Sequence, residues 1–166
     1  NVNVGNTGNT ADGTVWIGAA GVDFDPKLTI QGSTPGDDAA ADRKVGSRYA
    51  SGTSTFSGTI QLGSTAGGEV RLKRLDVHTM SAGTLEFTGD IVDPANPANP
   101  GESNIRKLDT GTAVFAGNNT YSGSTTVQNG TLLVNGTHSG GGAYTVQSGG
   151  ALGGIGTIGT ADADVT

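Results

Sequence analysis

The sequence predicts an all-β chain, a single-domain parallel right-handed β-solenoid with two loop insertions, and three observations carry that prediction. The first is composition: of 166 residues 30 are Gly and 23 are Thr, whereas charged residues make 14% and aromatics 5%. Gly costs about 1 kcal/mol per helical position relative to Ala, and good helix formers are scarce, so a helical domain is excluded. The second is a heptapeptide of the form G-T-x-x-F-x-G, present at Gly52–Gly58, Gly83–Gly89 and Gly111–Gly117. The third is Thr126-Val127-Gln128-Asn129-Gly130, which returns 19 positions later as Thr145-Val146-Gln147-Ser148-Gly149. Short strands at a period near 20 residues are the signature of a solenoid, in which each coil is unstable alone and buries its apolar face against the next.

Along the chain, Asn1 to Val4 alternates as a short strand, and Val15-Trp16-Ile17 places Trp16 opposite in parity to two apolar neighbours, predicting an exposed aromatic. Residues 31–47 contain Pro35-Gly36-Asp37-Asp38 and read as a first extruded loop. The heptapeptides follow, with Phe56, Phe87 and Phe115 predicted to stack as one inward ladder and their flanking glycines to supply positive φ at corners. Residues 93–104 hold Pro94, Pro97 and Pro100, which remove backbone donors and predict a second loop. Recognisable repeat on both sides of each loop makes 1–166 one domain, of about seven or eight coils at a spacing of roughly 4.8 Å.

The segment from Gly117 to Leu132 resembles the autotransporter-associated β-strand repeat, also called the passenger-associated transport repeat, of bacterial surface and secreted proteins. It carries that family's G-x-N-x-Y-x-G-x-T-x-V-x-x-G-x-L at Gly117, Asn119, Tyr121, Gly123, Thr125, Val127, Gly130 and Leu132. The best match runs from Lys107 to Thr137. The resemblance implies a parallel β-helix exported to the cell surface or medium as a stalk, adhesin or matrix component. The alternating amphipathic strands of a membrane barrel are not found in this sequence.

The net charge of -6 argues against nucleic acid as a partner, and no run of about 18 apolar residues is present to span a bilayer. The chain has no Cys, hence no disulfide, thiolate metal site or thiol nucleophile. His78 and His138 are the only imidazoles and no nucleophile elbow accompanies them, so no catalytic residues and no enzyme activity are expected.

The densest charged stretch, Glu69 to His78, changes its apolar parity between Lys73 and Arg74, which predicts a strand flipping face there and Glu69, Arg71, Asp76 and His78 pointing outward. The sharper reading is a site for cell-surface or matrix polysaccharide, binding or cleaving uronates; the plainer one is a solvated face of weak ion pairs. Asp23 with Asp25, and Asp162 with Asp164, are alternate carboxylates able to clasp Ca²⁺ weakly, otherwise read as solubilising charge; no cofactor is expected. Tyr49, Tyr121 and Tyr144 with Trp16 would stack sugars if aligned outward, although Tyr121 belongs to the repeat pattern and is expected to pack at a corner.

Neither end shows a cap. Val2 and Val4 at one end, and Ile155 and Ile158 at the other, are expected to present open strand edges for self-association, or to continue into a longer solenoid. The function expected is thus structural: an extracellular or cell-surface rod supporting adhesion or matrix and filament assembly, with a polysaccharide-binding or polysaccharide-cleaving β-helix and a passive stalk segment as alternatives.

Overall fold

The computed structural model describes residues 2–4, 13–30, 43–63, 74–93 and 103–159, and among these every regular element is a strand. Parallel pairing organises them into a three-faced coil. Face A holds β2 (Gly13–Ile17), β5 (Arg43–Ser47), β8 (Arg74–Thr79), β11 (Asn104–Leu108) and the opening halves of β14 (Thr125–Val134) and β16 (Tyr144–Gly153). Face B holds β3 (Asp23–Phe24), β6 (Ser51–Phe56), β9 (Ala82–Phe87), β12 (Thr112–Phe115) and the closing halves of β14 and β16. Face C begins with β1 (Val2–Val4), β4 (Leu28–Ile30), β7 (Ile60–Leu62) and β10 (Ile91–Val92), and ends with β13 (Asn118–Asn119), β15 (Thr137–His138) and β17 (Thr157–Ile158).

Six coils result among the described residues, from β2–β4 to β16–β17, with β1 stacked ahead of them on face C. β1 belongs to a further coil, and the early coils are long. Corresponding positions Phe24, Phe56, Phe87, Phe115 and Val134 are separated by 32, 31, 28 and 19 residues. The excess falls in connections between face C and face A. The strand Arg43–Ser47 shows that the first predicted loop, 31–47, was drawn five residues too long, since Arg43, Val45 and Ser47 alternate inward. Asn104, given to the second loop, likewise opens β11.

The predicted Phe ladder forms and is one ring longer. Phe24, Phe56, Phe87 and Phe115 are in register, with neighbouring ring centroids 5.1, 5.4 and 5.4 Å apart, and Val134 continues the row. Beside it run Ser54, Leu85, Ala113, Leu132 and Leu152 on face B, and Leu28, Ile60 and Ile91 on face C. These rows make one continuous core.

The heptapeptide glycines act differently from expectation. Of the six, Gly52 alone has positive φ, at 92°. Gly58, Gly89 and Gly117 instead lie at the corner between faces B and C, where a Cβ would collide with the carbonyl of the coil before: Asp25, Gly58 and Gly89 respectively. Gly136 and Gly156 extend this row against Gly117 and Gly136. The corner is therefore a stack of bare backbone, selected by closeness of approach.

Candidate functional site

Of the four residues predicted to make an outward charged site, Glu69 and Arg71 lie outside the described residues. Asp76 and His78 both sit on β8 and face outward, as parity requires, yet Asp76 is covered. Its residue is only 1% exposed because Arg74 Nε donates to Oδ1 at 2.8 Å and Arg106, in register on β11, donates from Nε to Oδ1 at 3.0 Å and from its terminal amino group to Oδ2. A carboxylate so covered is out of reach of a sugar hydroxyl or a solvent cation. It serves to hold two guanidiniums in place.

His78 is tied sideways: its Nδ1 lies 2.9 Å from Asp109 Oδ2 on the next coil, while the Trp16 ring tilts over it at 5.4 Å. Gly46 separates Trp16 from His78 in the register, and a Cβ there would meet Trp16 at 2.5 Å. The Arg48 guanidinium covers Trp16 at 4.4 Å from the ring centroid. Trp16 is thus half-buried between Arg48 and His78, which corrects the expectation of an exposed platform. Tyr121 and Tyr144 are wholly buried, and Tyr49 spends its hydroxyl on the Thr84 carbonyl at 2.8 Å. No outward row of aromatics for sugar stacking forms from these residues.

Asp23 and Asp25 converge on the Ser57 hydroxyl, at 2.7 and 3.5 Å. Asp162 and Asp164 lie outside the described residues. Among the described residues no group of three His, Cys, Asp or Glu side chains could hold a metal ion.

The interior carries cations that went unnoticed in the sequence. Arg43 and Lys107 point inward in the same strand parity as Val45 and Ile105, and are 1% and 0% exposed. Lys107 Nζ donates to the carbonyls of Leu108, Asp109 and Asn129 at 2.7, 2.9 and 3.1 Å, one for each of its three protons. It closes the corner between faces A and B, where Asp109 adopts a φ of 62°. Burial pulls its pKa down to about 8, against the opposing pull of Asp109. The signal was present: alternation in Asn104–Leu108 puts Lys107 on the side of Ile105.

The repeat coil is where the geometry is densest. Gly117 and Gly123 allow close stacking, the latter against Ser103. Asn119 brackets three coils, accepting from Ile91 N at 3.0 Å and donating to the Gly117 and Thr137 carbonyls at 3.2 Å each. Val127 and Leu132 fill the core, and Gly130 turns the long strand β14 from face A to face B with a φ of 68°. Ser122 N and Oγ donate to Asp93 Oδ2, at 2.8 and 2.5 Å, and Ser124 N and Oγ donate to Asn104 Oδ1, at 2.9 and 2.8 Å. Tyr121, Thr125, Tyr144 and His138 join in a buried ring of hydrogen bonds, with the imidazole stacked on Tyr121 at 4.2 Å between centroids. His138 had been noted only as a lone imidazole.

At the ends, Val2 and Val4 lie in β1, whose register to β4 is Val2↔Leu28 and Val4↔Ile30. Ile155 is 92% exposed, whereas Ile158 packs partly against the core. Among the described residues of this coil, Ile155 is the large apolar side chain left exposed.

Ladder, corner glycines and bracketing Asn119 together define a parallel β-solenoid. Within it, residues 105–134, from β11 to the end of β14, match the family model Passenger-associated-transport-repeat. No curated protein and no solved structure matches the chain.

Proposed function

We propose that this chain is a structural, non-catalytic rod segment of an exported bacterial passenger protein, which supports adhesion or matrix assembly at the cell surface or in the medium and stacks end to end with its own kind. The observation that supports this most is the continuous in-register interior, from Phe24 to Val134, beside which the charged cluster around β8 is occupied by its own neighbours. Asp76 serves Arg74 and Arg106, and Asp109 serves His78. Stacking has a route at the last described coil: β16 pairs with β14 on one side, and β17 with β15. With the same three-faced cross-section at the first and last described coils, β1 and β2 of a second copy would continue those ladders and bury Ile155 at the joint.

The test is electron microscopy and light scattering of the purified chain at rising concentration, with and without Ca²⁺ and a polyuronate. Extended fibres with a regular axial repeat, weakened by Ile155→Asp, are expected. Dispersed monomeric rods at all concentrations would reduce the role to a passive stalk segment. Saturable polyuronate binding, or its cleavage, would replace the structural reading with the carbohydrate one.

A further inference from the structure

The buried ring in the repeat coil has a direction. His138 Nε2 lies 2.8 Å from the Tyr121 carbonyl, which only accepts, so this nitrogen carries a proton. In the neutral imidazole Nδ1 is then a lone pair, and the Tyr144 hydroxyl donates to it at 2.9 Å. Tyr144 in turn accepts from Tyr121 at 3.2 Å, and Tyr121 from Thr125 at 2.6 Å. Every hydroxyl is satisfied in one sense of rotation. A second proton on His138 would set N–H against a hydroxyl already donating, and the whole ring would have to reverse, leaving the Thr125 proton without an acceptor inside it.

Few charged groups face this ring. Among the described residues Asp93, after β10, is the one nearby carboxylate: its Oδ2 holds Ser122, and its Oδ1 is buried without a partner. On β11, Lys107 spends its ammonium at the far corner of face A and Arg106 points outward to Asp76. Strands β13, β14, β15, β16 and β17 bring no titratable group besides His138 and Tyr144. Burial raises the pKa of both Tyr121 and Tyr144, so they remain protonated.

We propose that this ring is an acid-operated latch: with His138 neutral it locks β14, β15 and β16 into one unit, and protonation of His138 releases the last two coils. The place of His138 in the fold carries this. It stands in register between Asn119 and Ile158 on face C, and it reaches the first residue of β16 through Tyr144 and that of β14 through the relay to Thr125. Burial, offset in part by the bond to Tyr121 and by Asp93, lowers the His138 pKa from its ordinary 6.5. The opened state then binds more protons than the closed one, so closure is intact above pH 6.5 and is lost progressively as pH falls below it.

Hydrogen exchange on the full chain at about pH 7.5 and about pH 5, corrected for intrinsic rates, reads the latch directly. Amides of residues 137–158 are expected to open several-fold more often at the lower pH, while β6 and β9 stay protected. His138→Gln keeps a donor for Tyr121 and an acceptor for Tyr144 without titrating, and should abolish the response; His78→Gln should preserve it. No response in the native chain, or one that survives His138→Gln and disappears in Asp93→Asn, overturns the proposal. If His138→Gln does not fold, imidazole carbon NMR of the native chain decides: protonation of His138 at or above its ordinary pH, with no rise in exchange, overturns it equally.

Discussion

Phe87 sits in the middle of the aromatic ladder. It touches a ring above and a ring below, stacked on Phe56 at an interplanar angle of 7° and edge-on to Phe115 at 84°, and is 1% exposed. Phe87→Ala should cost about 3–5 kcal/mol by denaturant unfolding, since a stacked neighbour on each side resists collapse into the cavity. Lys107 makes the opposite kind of statement, a charge held inside by three carbonyls. Its pKa near 8, below the ordinary 10.5, means that the unfolded chain binds the extra proton between those values. Stability should therefore rise as pH climbs from about 8 toward the onset of tyrosine ionisation near 10, and that rise should be absent in Lys107→Met. Such residues mark the limit of what the sequence discloses. Phe56, Phe87 and Phe115 were readable because they recur in one motif, whereas Phe24 lacks the flanking pattern. Arg43 is hidden in a segment that reads as loop, and Lys107 is hidden because its hydropathy speaks against its inward parity. Asp76 was correctly read as outward, but its burial depends on Arg106 of another coil, which no local pattern contains.

At the level of elements, the corner glycines couple coils more tightly than the strands reveal. Gly89 faces the Gly58 carbonyl and itself presents a carbonyl to Gly117. Gly89→Ala should thus displace two coils at once and cost more than about 1 kcal/mol, whereas Gly18→Ala, with nothing within 4 Å of its Cβ, should be near neutral; paired denaturation curves check both. The strands themselves were legible from period and alternation, and the motif glycines from their repetition. Their reason was not: a one-dimensional pattern shows that Gly is required, and only the stacked backbones show that space, rather than φ, requires it. The long strands β14 and β16 were anticipated by the 19-residue recurrence, since coils without insertions repeat most faithfully.

For the whole molecule, the solenoid class follows from composition and repetition, whereas the three faces do not, because each face is defined only by pairing between coils. Between faces C and A the described chain breaks off at one corner on successive coils, after Ile30, after Gly63 and after Asp93, and resumes at Arg43, Arg74 and Ser103. The last departure and return are gripped by consecutive side chains of the repeat, Ser122 on Asp93 and Ser124 on Asn104, with Gly123 against Ser103 between them. The grip fixes the two stems independently of what joins them. A foreign peptide grafted between Asp93 and Ser103 is accordingly expected to leave the stacking order of the scaffold intact.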